Sequence, residues 1–237
     1  MTRIQIALLL INLISFSTCA NLRGLSAAIT RPRSAGVLMH ITSLPSNYGI
    51  GTLGVEAYKF ADFLVKAKQK NWQMLPLGPT GYGDSPYQSS SSYAGNPYMI
   101  DLDELINEKL LKEDEVKSVF WGNDLSHVDF GNMFAKRYPI LEKAFSRFKP
   151  NKDYEDFCKK NKDWLDDFAL FMSVKAKFGN GQWTEWPEDI KLRRKAAVDK
   201  YTKELAQKIN FHKFIQFKFY EQFDKLKEYC HKKGLKL

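Results

Sequence analysis

The chain has 237 residues, of which 44% are hydrophobic, 14% aromatic and 27% charged. This composition supplies enough apolar surface for one or two packed domains and excludes a collagen-like, low-complexity or wholly disordered chain. The formal net charge is +9, and four arginines that precede the first acidic residue, Glu56, carry four of these charges. Beyond them lysine is mixed with acidic residues, as on solvated helix faces, so we expect no nucleic-acid partner.

The N-terminus has the pattern of a cleaved leader. Arg3 precedes an apolar run at residues 6–16 and small residues at 17–20, which predicts a signal peptide over residues 1–20. Residues 21–34 contain no acid and are typical of a transit or linker segment. We expect a plastid protein that travels through the secretory pathway, or a secreted protein, with no stable membrane association after leader removal. A cytoplasmic protein is the alternative.

After the leader, the hydrophobic pattern predicts a parallel βαβ unit. Short apolar runs at residues 36–41 and 72–77 predict buried strands, and apolar positions at helical spacing predict a helix over residues 55–69. Residues 235–237 have the pattern of a third strand that begins at the end of the chain. Strand, helix and strand in this order are typical of parallel α/β folds.

A long insertion separates the second strand from its return helix. Helical periodicity within and after it predicts four helices, over residues 102–119, 134–148, 154–178 and 211–233. Gly234 follows the last of them at the position where glycine commonly ends a helix. We therefore assign residues 35–101 to the first βαβ unit and its loop, 102–208 to a helical insertion, and 209–237 to a helix with the start of a third strand.

Cofactor-binding motifs are weak or incomplete in this sequence. The three cysteines and four histidines are scattered, which excludes a disulfide framework and predicts no zinc site. Residues 49–54 match GxGxxG, but seven residues separate them from the strand, and no acid follows the second strand to hold a ribose. Residues 78–85 resemble a P-loop in which Asp84 replaces the lysine, so the charge would repel phosphate.

Residues 78–101 combine tyrosines with short carboxylate, amide and hydroxyl side chains on a backbone rich in glycine and proline. A sugar presents an apolar C–H face surrounded by hydroxyls, so such a segment suits a neutral carbohydrate. By composition alone, a surface loop whose tyrosines pack on the scaffold is the alternative. The segment follows a parallel strand, where βα loops build active sites, and this position favours the functional interpretation.

Several separate blocks in this region resemble the N-terminal part of the 4-α-glucanotransferases, the amylomaltase or disproportionating-enzyme family. The matching blocks are GVLMHITSLP (36–45), YGIG (48–51), WQMLPLGPTGYGDSPYQ (72–88) and AGNPYMIDL (94–102). Weaker similarity continues at residues 164–171, 183–187 and 211–237. The resemblance implies an α/β fold, a partial (β/α)8 TIM barrel containing the first two to three strands, with a largely helical inserted subdomain.

The resemblance also implies a reaction, the transfer of a segment of α-1,4-glucan to the 4-hydroxyl of another sugar with retention of configuration and without metal or organic cofactor. Retention requires two carboxyl groups, and those of the family lie on strands beyond Leu237. No catalytic residue is therefore assigned, and we expect a catalytically incomplete part of an enzyme of starch or maltooligosaccharide metabolism. A stand-alone maltooligosaccharide-binding protein is the alternative.

The substrate-binding residues follow from the same resemblance. It implies that Tyr87 stacks against the sugar next to the scissile bond of an α-1,4-glucan or maltooligosaccharide, and that Tyr82 offers a further platform for a long glucan. The remaining candidates, as sugar hydrogen-bonding groups or as supports of the loop, are Asp84, Ser85, Gln88, Asn96 and Asp101. His40 and Trp72 are expected to pack near the core.

Overall fold

The computed structural model describes residues 33–81, 83–122, 124 and 126–237. The predicted signal peptide over residues 1–20 lies outside the described residues, as do residues 21–32 of the predicted transit segment. The packing described below belongs to one compact unit, Gly36–Leu237.

The sheet is parallel, as predicted. Strand β1 (Gly36–Leu38) pairs with β2 (Asn71–Gln73), with Val37 opposite Trp72, and helix α1 (Val55–Lys66) connects the two strands. Lys236 extends the sheet beyond β2, because its carbonyl accepts from the Trp72 N–H at 2.8 Å. A single parallel bridge to Asn71 of β2 thus lies where the third strand was predicted.

Both strands are shorter than the apolar runs predicted. The Met39 N–H still donates to the Gln73 carbonyl at 2.9 Å, after which a 3-10 turn at Ile41–Ser43 redirects the chain. Apolar residues that follow the strands, such as Ile41, Met74 and Leu77, pack in or against the larger hydrophobic cluster from loop positions. Trp72 is 1% exposed and donates from Nε1 to the Met39 carbonyl at 2.7 Å, and His40 is also buried. Both residues thus lie in the core, as predicted.

Helices make up most of the remaining structure. In chain order they are α2 (Leu102–Asn107), α3 (Glu113–Lys117), α4 (Phe130–Arg147), α5 (Lys152–Lys160), α6 (Lys162–Lys177), α7 (Glu188–Lys191), α8 (Lys195–Glu204) and α9 (Ala206–Lys232), with 3-10 turns at Pro97–Met99 and Trp183–Glu185. Of the helices that the structure describes, none combines the length and apolarity required to span a bilayer.

Two helices predicted as continuous are each broken in two. The predicted helix over residues 102–119 is interrupted after α2, where Lys109 adopts a positive φ of 61°. The predicted helix over residues 154–178 is interrupted at Asn161, which ends α5 and whose Oδ1 accepts from Nε1 of Trp164 at 3.1 Å. Hydrophobic periodicity continues across both breaks, which is why it does not reveal them.

The first residues of two other helices also differ from the prediction. Helix α4 begins at Phe130, four residues before the prediction, because the Asp129 carboxylate accepts from the Asn132 N–H at 2.9 Å and caps its first turn. Helix α9 begins at Ala206 instead of residue 211 and ends at Lys232. Gly234 follows with a φ of 74°, which confirms the predicted glycine stop.

Helix α9 contributes to both hydrophobic clusters of this unit. The larger cluster joins the sheet and α1 to the helices through residues such as Leu64, Trp72, Met133, Phe214 and Leu235. The smaller cluster lies among α6, α7 and α8 and includes Val174, Trp186, Tyr201 and Ile209. Helix α9 therefore joins the two clusters before the chain reaches the bridge at Lys236.

His212 on α9 predicts a loss of stability in acid. Its side chain is buried, and burial, with a smaller effect from the charge of Lys208, lowers its pKa from 6.5 to about 4. Between pH 6.5 and about 4 the unfolded chain binds a proton that the folded chain excludes, so stability falls as the pH falls through this window. Urea unfolding at pH 7 and pH 5 measures the loss.

His212→Gln removes this titration, so the variant should lose less stability than the wild type between the two pH values. The matched control is His231→Gln, which changes an exposed histidine of the same helix and should leave the loss as large as in the wild type. An equal loss in His212→Gln and the wild type would contradict the prediction.

Candidate functional site

The polar segment that follows β2 forms a hairpin at the carboxyl end of the strand. Thr80 and Ser89 are paired by an antiparallel bridge at its base. Gly83 and Asp84 at its tip have φ values of 84° and 52°, a left-handed conformation in which glycine and aspartate are the least strained residue types. Thr80 Oγ1 donates to Asp84 Oδ1 at 3.1 Å, which ties the tip to the base.

Four of the predicted substrate-binding residues lie together on this hairpin. Tyr87 is 73% exposed, and its N–H donates to Ser85 Oγ at 3.3 Å. Gln88 is exposed, and its N–H donates to the Ser85 carbonyl at 3.1 Å, while Asp84 and Ser85 are half-buried. Tyr82 lies outside the described residues. The hairpin thus presents an aromatic ring to solvent beside a carboxylate, a hydroxyl and an amide.

Asn96 and Asp101 are buried and cap the two short helical elements that follow the hairpin. Asn96 is 3% exposed, and its Oδ1 accepts from the Tyr98 N–H at 2.9 Å. Asp101 is 5% exposed and caps α2 by accepting from the Glu104 N–H at 3.0 Å. Asp101 Oδ2 also accepts from Thr52 Oγ1 at 2.6 Å. The structure therefore uses both side chains as supports of the loop.

Two buried glutamines of α9 hold the backbone of residues 95–101, which we call the return segment. Gln216 accepts from the Gly95 N–H at 2.7 Å and donates to the Gly95 carbonyl at 3.0 Å. Gln222 pairs in the same way with the Asp101 N–H at 2.7 Å and carbonyl at 3.2 Å. Each side-chain amide thus satisfies both peptide groups of one residue. The sequence did not single out these residues, because other amides, Gln207 and Asn210, also occur on this helix and only burial distinguishes Gln216 and Gln222 from them.

Arg137 of α4 supports the middle of the return segment. Its guanidinium is fully buried, donates to the Tyr98 carbonyl at 2.8 Å and also donates to the Ile100 carbonyl. Burial lowers the pKa of Arg137 to about 10, with the nearby charge of Asp101 opposing the shift, so the group stays charged at neutral pH. Its carbon Cζ lies 5.8 Å from the ring centroid of Trp121.

The glycines of the GxGxxG motif allow the loops after β1 and β2 to touch. A β-carbon on Gly54 would lie 2.0 Å from Asp101 Oδ2, and one on Gly51 would lie 2.0 Å from the Ile41 carbonyl oxygen. Between these glycines, the Leu53 N–H donates to the Met99 carbonyl at 2.8 Å. Close packing against backbone at Gly51 and against the Asp101 carboxylate at Gly54 therefore accounts for these two glycines.

Two grooves of about 370 Å³ each also occur in this unit. One is lined by residues that include Phe171, Trp183 and Trp186, and the other by residues that include Tyr48 and Trp121. The hairpin residues line neither groove. Tyr87 and Gln88 of the candidate site instead lie on the exposed surface.

Comparison with known proteins places this chain in a family. The model of the family described as 4-alpha-glucanotransferase matches residues 39–237. The chain belongs to the 4-alpha-glucanotransferase family. A 4-alpha-glucanotransferase of Clostridium butyricum is 47% identical over 201 residues, which are 84% of this chain and 41% of that protein. The resemblance inferred from the sequence blocks is confirmed.

Two further relatives extend this comparison. The solved amylomaltase of Streptococcus agalactiae in complex with acarbose is 45% identical with a TM-score of 0.82, over 86% of this chain and 42% of that one. The chloroplastic/amyloplastic 4-alpha-glucanotransferase of Solanum tuberosum is 32% identical over 216 residues, 86% of this chain and 37% of that protein. The chain thus spans about two fifths of the length of the curated relatives it matches.

Replacing Gln216 with leucine should destabilise the fold. The substitution leaves the buried N–H and carbonyl of Gly95 without their partner, and each unpaired group costs about 1–3 kcal/mol. We expect the free energy of unfolding in urea to fall by roughly 2–6 kcal/mol. The control is Gln207→Leu, at an exposed position of the same helix, which should change stability by less than about 0.5 kcal/mol. Equal effects of the two variants would refute the role of Gln216.

Gly95→Ala tests the close approach of the return segment to α9. A β-carbon there would lie 2.0 Å from Cδ1 of Phe219, so the alanine forces the ring or the helix to move. We expect a loss of about 1–3 kcal/mol in urea unfolding. Gly81→Ala is the matched control in the same loop, where the nearest atom to a β-carbon would be the Gln88 carbonyl oxygen at 3.5 Å. The expectation fails if the control is destabilised as much as Gly95→Ala.

Proposed function

We propose that this chain supplies the N-terminal, glucan-binding part of a 4-α-glucanotransferase, which transfers a segment of α-1,4-glucan to a new 4-hydroxyl with retention. The observation that carries the proposal is the hairpin of residues 80–89. This hairpin follows a parallel strand and exposes Tyr87 to solvent, in a chain that belongs to the 4-alpha-glucanotransferase family.

The proposed binding mode follows from the chemistry of the exposed side chains. The Tyr87 ring covers the C–H face of one glucose unit, and the side chains around it supply hydrogen bonds to the hydroxyl edge. Asp84 supplies acceptors, Ser85 and Gln88 supply both donors and acceptors, and Tyr82 adds a second ring. Asn96 and Asp101 act indirectly, because they keep the return segment in place. The acarbose bound to the amylomaltase of S. agalactiae supports an α-glucan ligand.

We infer that the sheet is part of a (β/α)8 barrel. The parallel order of β1, β2 and the strand that begins at Lys236 supports this inference. Leu38 is 54% exposed and Leu237 is 36% exposed, so apolar side chains of the sheet remain available to further strands. Residues 35–101 then form the first βαβ unit, 102–208 the inserted subdomain, and 209–237 the next helix with its strand.

The catalytic carboxylates are proposed to lie in the part of the relatives that this chain does not span. A retaining mechanism needs two carboxyl groups about 5–5.5 Å apart on either side of the scissile bond. In the polar segment, Asp101 is buried as a helix cap and Asp84 accepts a hydrogen bond from Thr80. Neither is assigned to the reaction. This chain therefore contributes substrate binding, and the whole protein contributes the transfer.

A plastid location is proposed from the leader and from the plant relative. The S. tuberosum protein is named as chloroplastic/amyloplastic, which agrees with a transit segment before residue 35. An enzyme that rearranges α-1,4-glucan would meet starch in that compartment.

Calorimetric titration of the 237-residue chain with maltoheptaose tests the proposed function. Tyr87→Ala should weaken binding by about 2- to 10-fold, because a stacked aromatic contact is worth about 0.5–1.5 kcal/mol. Tyr87→Phe keeps the ring face and should bind within about twofold of the wild type. Absence of binding by the wild-type chain, or equal affinity of Tyr87→Ala and the wild type, would overturn the proposal.

The matched control is Phe63→Ala, which removes an aromatic ring that is 58% exposed on α1. Its maltoheptaose affinity should equal that of the wild type, because α1 lies outside the hairpin. A β-1,4-linked oligosaccharide of similar length serves as the ligand control and should give no heat, since its straighter chain does not match the same ring face and hydroxyl edge.

A further inference from the structure

Tyr93 and Trp164 form a stacked aromatic pair at the end of the polar segment. Their ring centroids are 6.0 Å apart, and the ring planes differ by 19°. Tyr93 is 63% exposed, and Trp164, in the first turn of α6, is half-buried. The tyrosine ring therefore rests on the indole while most of its surface remains open to solvent.

The backbone around Tyr93 is fixed on both sides. Its N–H donates to Ser91 Oγ at 3.2 Å, and its carbonyl accepts from the Tyr220 hydroxyl of α9. Two residues further on, Gly95 is held by Gln216. Hydrogen bonds from α9 therefore fix the backbone on which Tyr93 is carried.

The indole beneath the tyrosine is fixed as well. Trp164 Nε1 donates to Asn161 Oδ1 at 3.1 Å. Its ring also contacts Tyr220, at a centroid distance of 6.0 Å, and Phe168, at 6.2 Å. A ring that is already ordered loses little conformational entropy when a ligand stacks on it. The pair is therefore a preorganised flat surface.

We propose that Tyr93, supported by Trp164, is a second glucan platform that binds sugar units of a long α-glucan beyond those at Tyr87. The proposal rests on the proposed function, because it requires that Tyr87 bind an α-glucan. Ser90 and Ser92, between Tyr87 and Tyr93 in the chain, are exposed and offer hydroxyls to a sugar edge. No charged side chain occurs between Tyr87 and Tyr93 in the sequence, which suits a neutral ligand.

The two platforms differ in their place in the fold, and this difference predicts a dependence on glucan length. Tyr87 lies on the hairpin that follows β2, whereas Tyr93 lies where the polar segment meets α6 and α9. A glucan bound at Tyr87 must extend toward the helical insertion to reach Tyr93. Short oligosaccharides should therefore use Tyr87 alone, and long ones should use both.

The test compares maltotriose with maltoheptaose in calorimetric titrations of the 237-residue chain. Tyr93→Leu keeps an apolar cover on Trp164 but removes the flat ring. It should weaken maltoheptaose binding by about 2- to 10-fold and leave maltotriose binding unchanged. Tyr93→Phe should bind both sugars within about twofold of the wild type. Phe63→Ala, at an exposed ring on α1, should bind both as the wild type does.

The outcomes separate this inference from the proposed function. If Tyr87→Ala weakens both sugars while Tyr93→Leu binds maltoheptaose as tightly as the wild type, the second platform is refuted and the glucan site stands. If neither substitution changes binding, or no glucan binds the wild type, both fail. Melting temperatures of Tyr93→Leu and the wild type should agree within a few degrees, and a larger drop with loss of both sugars would also count against a length-dependent platform.

Discussion

The return segment is held by hydrogen bonds from buried side chains to its backbone, and the candidate site depends on them. Residues 95–101 form no ladder with a neighbouring strand, so their buried peptide groups need other partners. Gln216 and Gln222 satisfy the first and last residues, and Arg137 covers two carbonyls between them. These three side chains therefore hydrogen-bond the buried peptide groups of an irregular segment, as a neighbouring strand does in a β-sheet.

This arrangement explains how a long insertion can be accommodated without displacing the hairpin. The polar segment that contains the hairpin follows β2 and ends in the return segment, and α9 holds that end directly. Helix α9 also packs in both hydrophobic clusters and leads to Lys236, whose carbonyl accepts from Trp72 of β2. Residues 102–208 are thus joined to α9 at both ends, and within them α2 to α4 pack in the larger cluster with the sheet, whereas α6, α7 and α8 form the smaller one.

The order of the elements could be predicted from the sequence, whereas their interruptions could not. The apolar runs and helical spacing identified β1, α1, β2 and the last helix, because these elements each present one apolar face to the core. The break at Lys109 depends on a positive φ, and the break at Asn161 is accompanied by side-chain hydrogen bonds of Asn161 to the Phe157 carbonyl and Trp164 Nε1; neither changes the spacing of apolar residues. The strands are short because the neighbouring backbones diverge into loops, which a run of apolar residues does not reveal.

The sequence by itself determined the family, the parallel order of the strands and the polar segment whose composition suits a sugar. These are properties of local pattern and of short contiguous blocks. Only the tertiary structure decided which polar residues of that segment face solvent and which support it. Tyr87 is exposed and Asp101 is buried, although both lie in the same polar segment, because Thr52 and Gly54, which lie between β1 and α1, pack against the Asp101 carboxylate. Partners that are distant in the chain set burial, and a linear pattern does not contain them.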